Sequence, residues 1–184
     1  MGLSKGYPAD YGVGTVDSVW FQGSVFDLRT LNHVKRNQVG SYTLNGWLIP
    51  GQPPYTFVDP NLSPAWQEAF RGESDVRTPA QVPIVGDGVW FIGFPTASDP
   101  PPDDLVSPAP KLGRAIASID YFCVPRHGQS PSPIPRNWLP ENPLPGAINV
   151  SFLDGHSELT PLERLWQLQW HSRYEPPIKR PGLR

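Results

Sequence analysis

The sequence predicts an α+β fold, built on an antiparallel β-sheet with long proline-rich loops and few, short helices. Apolar alternating runs end at glycine or aspartate steps and follow one another without helices between them, which favours antiparallel pairing. The 25 prolines suit neither central strands nor helix interiors, so much of the chain must be loop. The 7 Trp, 8 Phe and 6 Tyr residues supply one apolar core and exclude a disordered chain.

The first half of the chain is predicted to contain three strand regions and two short helical turns. Alternating apolar residues mark the strands. A Ser-Pro or Thr-Pro pair marks each helical start, because proline at the first helical position has no N–H to lose. The elements are a strand pair over 19–28, a strand over 39–49 with a bulge or turn at Asn45-Gly46, a helix over 65–71, a turn over 78–81 and a strand over 82–94.

The second half is predicted to alternate loops with strands and to end in one helix. Clustered prolines mark the loops, since they break both kinds of regular structure. The elements are a loop over 98–110, a strand over 115–124, a loop over 125–145, a hairpin over 147–159 and a helix over 160–171.

The step Asp154-Gly155 lies between two apolar runs and predicts a two-residue hairpin turn. Val150 and Phe152 precede the step, and Leu159 follows it. Both central residues of a type I′ turn need positive φ, which Asp-Gly adopts at low cost. Asp154 and Gly155 are therefore expected to have a structural role.

The C-terminal helix is predicted from its start signals. Thr160 is its cap, Pro161 occupies the first position, and Glu163 completes a capping box. Three apolar residues share one helical face: Leu162, Leu165 and Trp166. A helix this short is not stable alone in water, so we expect that face to pack on the sheet. The alternative is an exposed amphipathic surface that docks a partner.

The composition excludes several classes of function. The formal net charge of −2 and the pI near 6.0 give no electrostatic footprint for nucleic acid. Lys179, Arg180 and Arg184 are expected to form a solvated, weakly basic end. Cys123, the single cysteine, lies in an apolar run and is expected to be a buried small hydrophobe. No known catalytic motif occurs, so we do not expect an enzyme.

Histidine and carboxylate residues raise one alternative, a transition-metal site. His127, Asp154 and His156 would be its ligands, with Asp87 as a fourth. If the strand over 115–124 pairs with the following strand, His127 lies near the start of that strand and Asp154 about 23 Å away at its end. We therefore predict structural roles for these residues, with Asp87-Gly88 as a bend in a strand. We expect no stoichiometric transition metal.

The order of several motifs resembles one family. The motifs are Gly40-Ser-Tyr-Thr-Leu-Asn-Gly-Trp47, a Thr78–Asp87 segment with prolines, and Arg126-His127-Gly128 followed later by Asp154-Gly155-His156. This order is similar to that of pilin-like proteins of the planctomycete and verrucomicrobial type, relatives of the major pseudopilins of type II secretion. Their signature is a His, about nine residues, then Asp-Gly. Here a proline-rich stretch separates the two parts by far more than nine positions.

The resemblance implies a non-catalytic structural subunit of a type II secretion or type IV pilus-like system. It implies an irregular N-terminal segment over 1–37, a globular head over 38–175 and a tail over 176–184. Its motif residues here are His127, Asp154, Gly155, His156 and Asp87. Partners would be other pilin-like subunits or secretion-system components, in the periplasm or at the cell surface. Family members attach to the membrane through an N-terminal apolar helix, which we expect to be missing from this chain.

The resemblance also suggests calcium, which pseudopilin-type heads often hold through loop oxygens. Asp99, Asp103 and Asp104 are the weak candidates for such ligands. Because they lack the alternate-residue spacing of an EF-hand loop, a solvated acidic loop without a cofactor is the expectation.

Two other functions compete with the pilin-like interpretation. A carbohydrate- or envelope-binding module is the second interpretation, because Trp138, Tyr55 and Tyr7 in loops would stack on sugars if exposed. A metal-dependent hydrolase is the third.

Overall fold

A computed structural model describes residues 11–27, 32–49, 68–108 and 119–184. The strands are β1 (Tyr11–Gly12), β2 (Trp20–Asp27), β3 (Asn32–Gly40), β4 (Tyr42–Asn45), β5 (Pro83–Asp87), β6 (Ile92–Gly93), β7 (Ala147–Phe152) and β8 (Ser157–Pro161). The 3₁₀ turns are Gly46–Leu48, Glu73–Asp75, Pro79–Gln81, Ile119–Phe122 and Leu162–Gln167. None of the helical segments in these ranges has the length and apolar character needed to cross a membrane.

The strands form two sheets. One has the order β1-β2-β3 and is antiparallel throughout. The other has the order β6-β4-β5-β7-β8, in which every pairing is antiparallel except that of β4 with β6. The α+β class with short helical elements and a mainly antiparallel sheet is confirmed.

The core lies against one face of the five-stranded sheet. Ile148, Val150 and Phe152 alternate along β7 and are buried, as an antiparallel strand with one solvated face requires. Aromatic side chains fill much of the space, and the rings of Phe122 and Trp170 lie 4.6 Å apart. Burial of each such side chain contributes about 1.5–3 kcal/mol, so this layer is the main source of stability.

The opposite face of that sheet points to solvent. Cross-strand partners point to the same side of a sheet, so the pairs Leu44–Val85, Val85–Ser151 and Ser151–Ser157 form one row. We call this surface the outer face. It consists of Tyr42, Leu44, Val85, Asp87, Asn149, Ser151, Ser157 and Leu159, of which Asp87 is buried.

The first half of the chain differs from expectation in several places. The segment over 1–37, predicted to be irregular, contains β1, β2 and most of β3 in its described parts. The expected strand pair over 19–28 is the single strand β2. The expected strand over 39–49 breaks at Ser41 and becomes 3₁₀ at Gly46, where Asn45 accepts a hydrogen bond from the backbone N–H of Trp47. Residues 65–67 of the predicted helix over 65–71 lie outside the described residues, and its described part, 68–71, contains no α-helix.

The strand predicted over 82–94 is two strands. β5 ends at Asp87, and β6 begins at Ile92. The turn over 78–81 is present, with Pro79 at its first position, but Thr78 makes no side-chain capping bond. The bend expected at Asp87-Gly88 therefore ends one strand and leads to another.

The strand predicted over 115–124 is wrong for its described part. Residues Ile119–Phe122 form a 3₁₀ turn, and Cys123 donates its N–H to the Asp120 carbonyl. All the residues from 119 to 124 are buried, and such a continuous apolar run does not distinguish a buried strand from a buried helical turn. Residues 115–118 lie outside the described ranges.

The β7–β8 hairpin is present where the sequence predicts it, but its turn is of another type. Phe152 N donates to His156 O, and Gly155 N donates to Phe152 O, both at 2.9 Å. Gly155 has φ of 92°. The loop thus has three residues, Leu153 to Gly155, in a turn closed by a left-handed glycine, rather than the two-residue Asp-Gly turn.

The predicted C-terminal helix is shorter and has no capping box. Thr160 is the last buried residue of β8, Pro161 is the cap, and the 3₁₀ turn ends at Gln167. It stops there because Gln169 donates its N–H to the Gln81 carbonyl instead of continuing a helix. The buried face is confirmed, since Leu162, Leu165 and Trp166 are fully buried. The exposed amphipathic alternative is therefore wrong.

Candidate functional site

The predicted motif residues form two separate histidine–aspartate pairs. His127 lies against Asp87, and His156 lies against Asp154. The first pair is next to β7 on the outer face, and the second is in the turn of the β7–β8 hairpin. The predicted separation is present, although the strand pairing from which it was argued is not: His127 lies at the start of β7, bridged to Ala147, and Asp154 lies beyond its end.

The first pair joins three parts of the chain. Asp87, at the end of β5, is buried, and its Oδ2 lies 3.1 Å from His127 Nε2. The same oxygen accepts the backbone N–H of Asn149 on β7 at 2.8 Å. The side-chain amide of Asn149 lies 2.9 Å from His127 Nε2. The imidazole therefore covers the carboxylate and shields it from solvent.

Nε2 of His127 faces an acceptor and an amide at the same time. When Nε2 carries the ring proton, it donates to Asp87, and the Asn149 amide must then turn its oxygen to the ring. Asn149 is a site residue that the sequence analysis missed. Its signal was present, since it is the one polar residue between Ile148 and Val150 in an alternating strand.

Arg126 anchors the neighbouring backbone. Its guanidinium donates to the carbonyls of Ser41, Thr15 and Ser18, which belong to the start of β4 and to the turn before β2. Partial burial lowers the pKa of Arg126 from its ordinary value, yet the group stays charged because that value is far above neutrality. Residues 126 and 127 thus fix the strand ends beside the outer face.

The second pair is exposed and local. His156 Nδ1 lies 2.5 Å from Asp154 Oδ1, and the imidazole stacks on Phe152 with ring centroids 4.5 Å apart. The hydrogen bond from the His156 side chain lowers the pKa of Asp154 below its ordinary value. This pair closes the hairpin turn. Ser151 and Ser157 face each other on the next rung of the hairpin, and their hydroxyls bond each other at 2.7 Å.

A long loop separates the two halves of the motif, His127 and Asp154-Gly155. His127 and Ala147 exchange both backbone hydrogen bonds, at 3.0 and 2.7 Å, so the chain leaves and returns at one rung. Gly128 and Gly146 flank this rung with φ of 71° and 79°, a left-handed conformation that favours glycine. We call residues 129–145 the insertion.

The insertion packs on the body of the protein through its far part. Leu105 donates to the Pro135 carbonyl at 3.1 Å, and Trp138 donates its N–H to the Asp103 carbonyl at 2.6 Å. Arg136 forms an ion pair with Asp104 at 3.0 Å. The first residues of the insertion, 129–133, are exposed.

The acidic loop proposed for calcium uses its oxygens within the protein. Asp99 accepts the backbone N–H groups of Thr96 and Ile119 at 3.0 and 2.9 Å. Asp104 accepts two backbone N–H groups with one oxygen and pairs with Arg136 through the other. Among the described residues, no group of three histidine, cysteine or acidic side chains is placed to hold a metal ion.

The C-terminal tail contains a buried cation that the sequence analysis placed in solvent. Arg180 is buried, its Nε lies 3.0 Å from both carboxylate oxygens of Glu163, and it donates to the Pro140 and Asn142 carbonyls. Glu163 also accepts the backbone N–H of Leu144. The expected solvated basic end is therefore wrong for Arg180, which ties the tail and the insertion to the C-terminal turn.

Two further side chains have environments that bear on the chemistry. Cys123 is fully buried as predicted, and burial raises the pKa of its thiol well above the ordinary value, so it is not a ready nucleophile. His171 is buried beside Trp47 and Tyr174, and burial lowers its pKa to about 4. It is neutral at pH 7.

The aromatic residues proposed to stack on sugars are not assembled. Trp138 is half-buried, packs against the core and donates its indole N–H to Asn142. Tyr55 and Tyr7 lie outside the described residues. A different aromatic side chain, Tyr42 on the outer face, is 59% exposed.

Compared with models of protein families, with curated proteins and with solved structures, the chain matches none.

Proposed function

We propose that this chain is the globular head of a pilin-like structural subunit, acting without catalysis in a secretion or pilus-like assembly. The observation that carries the proposal is the spacing of the motif residues around the base of the insertion, where His127 and Ala147 pair. When residues 129–145 are set aside, Gly128 and residues 146–153 remain between His127 and Asp154. Nine residues then separate the histidine from Asp-Gly, which is the spacing of the signature that the sequence resembles.

The backbone at the base supports this interpretation. His127 and Ala147 already form a hydrogen-bonded rung. With the insertion removed, Gly128 and Gly146 become the two central residues of a hairpin turn, and both have the positive φ that a type I′ turn requires. The insertion thus interrupts a compact hairpin without changing the register of the residues on either side.

The placement of the motif side chains supports a structural role. His127 covers the buried Asp87 carboxylate, and His156 closes the turn that contains Asp154. The serine hydroxyls nearest to this hairpin bond each other rather than a histidine. Each motif residue therefore stabilises a strand end or a turn, as expected of a subunit that presents a rigid surface.

A deletion tests the interrupted motif. The variant without 129–145, with Gly128 joined to Gly146, should keep its strands and melt cooperatively. It should be less stable than the parent because the buried Leu144 side chain and the Arg180 contacts to the insertion are lost. The control deletes the equally long segment 128–144 and leaves Pro145-Gly146 in the turn. Proline fixes φ near −65°, which a type I′ turn does not accept, so the control should be less stable than the first variant. Equal melting temperatures of the two variants would contradict the proposal that the insertion interrupts a hairpin turn.

The function itself is tested in the source organism. An antibody raised against the purified chain should detect it in the envelope and in material sheared from the cell surface. The coding DNA before Met1 should encode a leader and an apolar helix of about 20 residues. The proposal would be refuted if the chain were found only in the cell fraction that contains a cytoplasmic marker enzyme, and if the upstream DNA encoded no such helix.

A further inference from the structure

The last residues of the chain are held in place by one buried side chain. Within 176–184, all of which the structure describes, Arg180 is the only buried residue, and the segment belongs to no strand or helical turn. Ile178 is 100% exposed, so its apolar side chain adds nothing to the attachment. Beyond Arg180, the Gln167 side chain donates to the Pro177 carbonyl at 2.8 Å. Hydrogen bonds and charge, rather than apolar burial, therefore mainly hold this segment, which we call the strap.

The guanidinium of Arg180 fills a site that other parts of the chain build around it. Its Nε lies 3.0 Å from both carboxylate oxygens of Glu163. One terminal nitrogen donates to the Pro140 carbonyl at 2.7 Å, and the other donates to the Asn142 carbonyl. The centre of the guanidinium lies 5.7 Å from the centroid of the Trp166 ring. All three nitrogens are thus used, in a forked arrangement that fits a planar guanidinium and not the point charge of an ammonium group.

The strap covers part of the buried layer. Trp166 is fully buried, and its ring lies under the guanidinium. Cys123 is fully buried as well; burial is the main cause that raises the pKa of its thiol, and the charges of Arg180 and Glu163 also act on that pKa. The ion pair therefore lies near the thiol, and its opening gives solvent a path to this part of the core.

We propose that the strap opens and closes while the sheet stays folded, with Arg180 in its guanidinium site as the latch, and that opening exposes Cys123. A segment held by few buried apolar contacts opens at a smaller free-energy cost than the core. Water hydrates both charges of an opened pair, so opening leaves no buried charge unpaired. Because Glu163 also accepts the backbone N–H of Leu144, the latch controls whether the end of the insertion is held against the C-terminal turn. The proposal is independent of the pilin-like assignment.

Labelling of Cys123, the single cysteine of the chain, measures the opening. The full chain is mixed with an excess of a thiol reagent at increasing urea concentrations below its unfolding transition. Labelling through a local opening changes little with urea, because sensitivity to urea scales with the surface that is exposed. The parent should label in this way at low urea. Labelling that follows global unfolding at every urea concentration overturns the proposal.

Variants test the latch. Arg180→Ala should label at least about tenfold faster than the parent at low urea, since it leaves Glu163 without its cation. Arg180→Lys keeps the charge but cannot make the forked contacts, so its rate should lie between those two, and it carries the test if Arg180→Ala does not fold. The matched control is Lys179→Ala, which removes an exposed cation one residue away and should label like the parent. Rates equal to that of the parent in the Arg180 variants reject the latch.

Chemical rescue tests the guanidinium site itself. Arg180→Ala leaves room for a small cation, and methylguanidinium should slow the labelling of Cys123 in this variant, by about threefold at about twice its dissociation constant. Methylammonium, a point charge, should not slow it. The parent, whose site is filled, should respond to neither cation, which controls for denaturation by the guanidinium group. The rescue should disappear when Glu163→Gln is added to Arg180→Ala. Equal protection by the two cations, or protection by neither, overturns the assignment of this site.

Discussion

Asp87-Gly88 and Asp154-Gly155 place the same dipeptide after an apolar strand, yet the two steps are held by different forces. Asp87 is buried under His127, and a Cβ on Gly88 would lie 1.9 Å from the Thr43 hydroxyl oxygen. Gly155 is exposed, has φ of 92°, and a Cβ there would meet nothing within 4 Å. The first glycine is required by close packing, and the second by backbone conformation.

This difference shows what the Asp-Gly dipeptide can predict from sequence alone and what it cannot. An Asp-Gly pair predicts a change of direction in both places, and both places have one. Only the fold decides whether the glycine is needed for space or for positive φ. Substitutions therefore separate the two cases: at Gly88 any side chain should be costly, whereas at Gly155 the cost should depend on how easily the residue adopts a left-handed conformation.

The largest expected loss of stability is at Trp166, in the buried layer that packs against the β7–β8 hairpin. It measures how much of the free energy of unfolding comes from tertiary packing. Trp166 is fully buried, donates its indole N–H to the Asp99 carbonyl at 2.8 Å, and its ring lies under Arg180. Trp166→Ala should lower the free energy of unfolding by about 3–5 kcal/mol, measured by urea denaturation. Trp138→Ala, at a half-buried position, is the control and should cost less. A Trp166→Ala protein within about 1 kcal/mol of the parent would be inconsistent with this packing.

Gly88→Ala tests the packing side of the comparison. The added methyl group would clash with the side chain of Thr43, whose hydroxyl donates to the Trp90 carbonyl. It would also lie 2.7 Å from the backbone oxygen of Tyr121. Neither neighbour is the end of a flexible side chain, so the strand must shift. We expect a loss of about 2–3 kcal/mol in the free energy of unfolding. The control is Gly72→Ala, where a Cβ meets nothing within 4 Å. Similar stabilities for the two variants would show that the close approach is not rigid.

The elements that could be predicted from the sequence are those that depend on neighbouring residues. The β7–β8 hairpin and the buried face of Leu162, Leu165 and Trp166 follow from alternation and helical spacing. The capping box failed because Glu163 has distant partners, Leu144 and Arg180, that compete for its carboxylate.

The candidate site was less predictable because it depends on strand order. His127 and Asp87 meet only because β5 pairs with β7, and neither local pattern specifies that pairing. The same holds for Arg180, whose burial depends on carbonyl groups of Pro140 and Asn142 in the insertion. Local spacing placed each residue in its element but not next to its partner.

The comparison between buried and exposed positions extends to the buried histidine His171 and gives a pH dependence. His171 has a pKa of about 4 in the folded protein because of its burial, and about 6.5 when the chain is unfolded. Between these values the unfolded chain binds the proton and the folded chain does not, so stability falls as the pH falls through that window. The loss between pH 7 and pH 5 should be about 1–2 kcal/mol, after allowance for the favourable Glu68 carboxylate 3.4 Å away.

His171→Phe keeps a ring between Trp47 and Tyr174 and removes the titrating group. Urea denaturation at the two pH values should give a smaller difference for this variant than for the parent. Ile178→Ala, at a fully exposed position that carries no titrating group, is the control and should leave the difference unchanged. An undiminished pH dependence in His171→Phe would assign the effect to other groups.

The smallest expected effect tests the conformational side of the comparison, at Gly155. A β-branched residue is strained at φ of 92°, but no atom obstructs it, so Gly155→Val should cost only about 1 kcal/mol. Gly155→Asn should cost less, since asparagine adopts left-handed conformations more readily than other residues with side chains. Melting curves of the two variants and of Gly155→Ala give the ranking Asn, Ala, Val in order of increasing cost. At Gly88 the same three substitutions should all be severe, and the smallest residue, alanine, should be the mildest. If asparagine were no better than valine at Gly155, the turn would be held by contacts rather than by φ, and the distinction between the two Asp-Gly steps would fail.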